Sequence, residues 1–171
     1  MATIFRIVSV PLILFLTACT ISLAPPGDKA FVAELNQANQ QTLTLFSALE
    51  GGGARDSYSK YSKRYDEVIG AFGALETKAR ARPVPALGQK LITKIARRGR
   101  VAEICAAKGD DATGCVFATP DIIVEIIEDL TKLRELHQKG SLKPAVAGAL
   151  KGDYVISIQQ VLVLETALLR E

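Results

Sequence analysis

The chain has 171 residues with 21 Lys+Arg against 18 Asp+Glu, a net charge of +3. That suits a single domain with a sizeable core and supplies no bulk field that would demand a polyanionic partner. Aromatic residues make up 6% and tryptophan is absent, which argues against aromatic cages and base-stacking platforms.

The opening segment carries one basic residue, Arg6, then Ile7, Val8, Val10, Leu12, Ile13, Leu14, Phe15 and Leu16 before Thr17, Ala18 and Cys19. A charged start, an apolar run and a small-residue finish are the anatomy of a secretory signal. The run is about half of the ~20 residues a spanning helix needs, and Pro11 interrupts it. The tetrad LTAC at residues 16–19 resembles the lipobox of bacterial lipoproteins. The resemblance covers residues 1–20 and implies that the cysteine sulfur receives diacylglycerol, that residues 1–18 are cut away, and that the new amino group is acylated. It also implies, with Thr20 and not aspartate after the cysteine, delivery to the outer membrane facing the periplasm. Two or three acyl chains hold a protein on a bilayer where one does so only marginally. Cys19 would be the membrane anchor, and no cofactor beyond this covalent lipid is expected.

Loss of residues 1–18 removes only Arg6 and leaves 20 basic against 18 acidic residues. With Cys19 acylated, Cys105 and Cys115 remain as a pair in an exported chain, where disulfides persist. They enclose AAKGDDATG, and closing a loop of that length contributes roughly 2–3 kcal/mol in the chain-entropy model. A metal pair is the rival, but further thiolate or histidine ligands are wanting, since His137 is the sole histidine.

Residues 19–27 read as a tether, because Pro25, Pro26 and Gly27 cannot enter a helix interior, and Asp28 reads as a cap. A single domain over residues 28–171 follows. Phe31, Leu35, Ala38, Thr42, Leu45 and Leu49 fall at alternating steps of four and three, a helical seam ended by Gly51, Gly52 and Gly53. Tyr58, Tyr61, Tyr65, Val68, Phe72, Leu75 and Ala79 repeat the spacing to about Arg82, where Pro83 and Pro85 intervene. A third helix is expected from Ala86 to Ala107, with Leu87, Leu91, Ile95, Ala102 and Cys105 on one side. The fourth has Thr119 as cap, Pro120 at the first position, Gly140 after its end and a seam of Ile123, Ile126, Leu130, Leu133 and His137. The last, Leu142 to Leu169, is apolar around much of its circumference and belongs in a bundle centre or an interface. YVISI and VLVLE could be strands, but length and helical company favour helix. The expectation is an all-α antiparallel bundle of four to five helices with one short-range disulfide.

Between Glu76 and Glu103 lie eight basic residues and no acidic one. Lys90, Lys94, Arg97 and Arg98 are spaced to share a face that could hold lipid head groups, an anionic envelope component or an acidic protein, against the alternative of a solvated face. Nucleic acid is disfavoured by compartment and by the absence of a motif. His137, with Tyr58, Tyr61 and Tyr65, could line a pocket in the bundle, against the alternative of a satisfied core group and a packing stripe. Haem attachment lacks CxxCH, a calcium loop lacks its terminal glutamate, and the serines have no base but the distant histidine. Small residues at Ala145, Gly148, Ala149 and Gly152, and at Gly70 and Gly73, suggest close helix packing. A non-enzymatic envelope interaction, scaffold or assembly module is therefore expected, with a small-ligand carrier or sensor as the alternative.

Overall fold

The computed structural model describes residues 23–96 and 116–170. Cys19, the Cys105–Cys115 pair, Arg97 and Arg98 lie outside the described residues. Five α-helices are described, α1 (Lys29–Ala48), α2 (Ser62–Arg80), α3 (Ala86–Ala96), α4 (Thr119–Gln138) and α5 (Pro144–Leu168), with a 3-10 turn over Arg55–Lys60 ahead of α2. No strand occurs among them.

Asp28 caps α1, its carboxylate accepting from the amides of Ala30 at 2.8 Å and Phe31 at 3.2 Å, which satisfies two of the orphan donors at a helix start. The α1 seam is buried along its whole length, from Phe31 to Leu49. Gly52 then adopts φ +83 and Gly140 φ +77, left-handed conformations that favour glycine and let the chain reverse after α1 and α4. The amide of Gly53 donates to Leu142 O at 2.8 Å, so the two turns are stitched together at one end of the bundle.

Helices α1, α2, α4 and α5 form a four-helix ring in which each packs on its chain neighbours, with α5 closing on α1. Cross-links fix the antiparallel sense. Lys78 near the end of α2 reaches Glu34 near the start of α1, Arg134 of α4 reaches Asp66 of α2, and Tyr154 of α5 donates to Asn39 of α1 at 2.9 Å. The core runs down the axis through Leu35, Phe46, Tyr65, Phe72, Ile126, Leu133, Tyr154 and Val161. A short turn joins α4 to α5, and a longer connection carrying the 3-10 turn joins α1 to α2; both hold neighbours antiparallel. The fifth helix, α3, sits in the long connection between α2 and α4.

The structure departs from the expected pattern in several places. The tyrosine-rich helix begins at Ser62, with Tyr58 in the 3-10 turn. Thr119 is not a cap: Ala118 occupies that position without a side-chain bond, and the Thr119 hydroxyl turns inward. Leu87, expected on the inward side of α3, is exposed. Helix α5 is not at the bundle centre, one of the two positions expected of it: Ala147, Leu150, Tyr154, Ile158, Val161 and Glu165 face inward and Ile156, Val163 and Leu164 outward. The small residues Ala145, Gly148, Ala149 and Gly152 are exposed, and a Cβ on Gly70, Gly73, Gly148 or Gly152 would meet nothing. The close packing expected of them does not occur within the described fold.

Candidate functional site

Two buried polar clusters sit at opposite ends of the bundle. The first surrounds His137, at the end of α4 where the two glycine turns meet. The histidine has no exposed surface and is ringed by Tyr58, Tyr61 and Tyr65, with ring centroids 5.7, 5.6 and 5.9 Å away. Thus four residues expected together from their spacing do meet, joined by Ala54 and Ser57, which the spacing did not indicate. The Ala54 carbonyl lies 3.2 Å from Nε2 and can only accept, which assigns the ring proton to Nε2 and leaves Nδ1 to accept from the Tyr65 hydroxyl at 3.0 Å. Burial lowers the His137 pKa below its usual 6.5, partly offset by the bond to Ala54, so the ring is held neutral. Burial likewise raises the Tyr65 phenol, reinforced by Tyr58 and Tyr61.

Ser57 Oγ comes within 2.9 Å of Nε2, a juxtaposition of hydroxyl and imidazole that spacing alone could not foresee across 80 positions. It is not an activated nucleophile, because the Ser57 hydroxyl donates to Ala54 O at 2.7 Å and Nε2 carries a proton where a general base needs a lone pair. On its Gly53 side the ring is closely approached: a Cβ there would stand 2.6 Å from His137 Cδ2 and Nε2. The cluster is a packed, hydrogen-bonded pin between the turns.

The second cluster was not legible as a site. Glu165 is 0% exposed within α5 and takes a two-pronged bond from Arg82, Nη2 to Oε1 at 2.6 Å and Nη1 to Oε2 at 2.9 Å. Thr119 donates to Oε1 at 2.7 Å. The Arg82 guanidinium lies between Phe31 and Phe117, 4.8 and 4.6 Å from the ring centroids. The residue just past α2, the start of α4, the end of α5 and the start of α1 are thereby fastened through one charge pair. Planar, two-pronged pairing is what arginine offers and lysine does not.

Of the eight basic residues expected as one field, the fold uses three in ion pairs: Lys78 with Glu34, Arg80 with Glu76 and Asp121, and Arg82 with Glu165. Lys90 and Lys94 are exposed on α3 and form no ion pair among the described residues. An open acidic groove of about 330 Å³ lies between α4 and α5, lined by Glu125, Glu128, Asp129 and Asp153. Burial and then Asp153 raise the Asp129 carboxyl above its usual range. Among the described residues no three His, Cys, Asp or Glu side chains converge as a metal site, and no helix is long and apolar enough to cross a membrane. Comparisons with protein families, with curated proteins and with solved structures returned no match to this chain.

Proposed function

We propose that the chain is an exported lipoprotein, held by lipid on Cys19 at the periplasmic face of the outer membrane, whose bundle serves as a non-enzymatic interaction or assembly module for an envelope partner. The observation that carries this reading is the division of the bundle into a spent interior and an unspent exterior. His137 and Glu165, the groups with most chemical potential, are buried and paired within the protein. The outward side of α5 meanwhile leaves Ile156 58% and Val163 68% exposed, apolar surface of the kind that marks contact sites. The lipobox tetrad and the Asp28 cap nine positions after Cys19 support a bundle carried close to the leaflet.

Palmitate labelling tests the anchor. The full chain should incorporate label and Cys19→Ser should not; label in both, or in neither, sinks the lipoprotein reading. For the module, Ile156→Asp with Val163→Asp should abolish crosslinks from α5 to its envelope partner with little change in melting temperature. Crosslinks unaffected by the pair would remove α5 as the contact.

A further inference from the structure

The end of the bundle where the tether enters carries a feature that neither buried cluster uses. Gly27 abuts the α5 terminus, where an added Cβ would stand 2.5 Å from Leu168 O, so the tether runs along the same end as Arg82 and Glu165. Helix α3 is joined to that tether. Gly88 is buried, and a Cβ there would collide with the Leu23 carbonyl oxygen and approach Val84 Cγ1 at 2.8 Å. Helix and tether therefore touch backbone to backbone, a contact only glycine permits.

The outward side of α3 has a definite chemistry. At about 100° per residue, Leu87, Lys90 and Lys94 fall within a stripe of about 60°. All three are exposed, Leu87 at 45%, while Gly88 and its contact with Leu23 lie on the other side of the helix. The helix contains no acidic residue. A stripe with apolar and basic members matches a surface that is anionic outside and apolar beneath.

We propose that α3 docks on the anionic phospholipid surface to which the chain is anchored, with Lys90 and Lys94 on head-group phosphates and Leu87 at the acyl boundary. This rests on the lipoprotein reading for its geometry. Leu23 is four residues from Cys19, so it lies within about 14 Å of the anchored sulfur's residue even with the chain fully extended. Tethering makes docking intramolecular, and two lysines suffice where a free protein would need many. An acidic protein would have to enter that narrow space between α3 and the leaflet. Each lysine shifts the docking equilibrium about 5-fold.

The absence of tryptophan permits a direct test. Leu87→Trp in the full lipidated chain is reconstituted into vesicles of phosphatidylcholine alone or with phosphatidylglycerol, and Trp quenching by brominated acyl chains is read. Strong quenching is expected in anionic vesicles, weak quenching in neutral ones, with loss of about 25-fold in the docking equilibrium on adding Lys90→Gln and Lys94→Gln and loss on raising salt. Chain that floats with both vesicle types but is unquenched, or equally quenched in both, overturns the docking while leaving the anchor intact. Chain that lacks acyl mass removes the anchor, and the docking with it unless the Leu87→Trp chain is still quenched in anionic vesicles alone. A charge-reversal-sensitive crosslink from α3 to an acidic protein, with no lipid quenching, would reassign the stripe and overturn the proposal. Gly88→Val, which drives α3 off Leu23, should reduce quenching without altering flotation.

Discussion

Arg82→Met should be among the most damaging single substitutions in the bundle. It removes both hydrogen-bonded prongs from Glu165, a carboxylate with no exposed surface, and leaves it the Thr119 hydroxyl alone. Breaking a buried pair on one side costs about 3–5 kcal/mol, because the remaining charge stays desolvated. At about 2–4 °C per kcal/mol for a domain of this size, the melting temperature should drop by about 6–20 °C. Glu165→Leu should cost less, since the Arg82 side chain keeps 12% exposure and its two flanking rings, and a guanidinium near the surface can turn to water. The double variant Arg82→Met with Glu165→Leu should recover most of the loss, as apolar replacement of a buried pair is often neutral or better. Among the described residues Arg82 Nε has no hydrogen-bond partner, and the double variant removes the cost of about 1–3 kcal/mol that an unsatisfied buried donor carries. Urea unfolding of the four chains closes the cycle. A single-variant cost below 1 kcal/mol, or a double variant as poor as the sum of the singles, would refute the reasoning.

Two further outcomes follow from the other end and from the surface. Because burial lowers the His137 pKa below 6.5, the unfolded chain binds a proton the folded one refuses. Stability is therefore complete above pH 6.5 and lost as pH falls from there through the folded value. Melting temperature should decline over that window in the natural chain and stay level in His137→Gln; a level profile in both would contradict the assigned neutral ring. Gly148→Ala and Gly152→Ala meet only open space and should each stabilise α5 by about 0.5–1 kcal/mol. A loss of self-association in those variants would instead make the small-residue stripe a contact between copies.

The seams of α1, α2 and α4 were legible because one buried face in water forces apolar residues to recur at three and four. The same spacing brought His137 to the tyrosines. What spacing could not show was Ser57 and Ala54 at the imidazole, since their approach depends on Gly53 pairing with Leu142 across the two turns. Helix α5 misled because Ile156, Val163 and Leu164 put apolar side chains outward, so hydrophobicity no longer distinguished its buried face. Glu165 did carry a signal: it continues the inward series Tyr154, Ile158, Val161 at steps of four and three. A charge at a seam position in an apolar helix requires a partner, but Arg82, beside Pro83, read only as part of a basic run.

The intact mass of the full chain recovered from the membrane fraction bears most directly on the lipid-anchored module. A polypeptide beginning at Cys19 and heavier by a diacylglycerol and an acyl chain is the expected result. A chain still bearing residues 1–18, or one cut there with an unmodified cysteine, would contradict it.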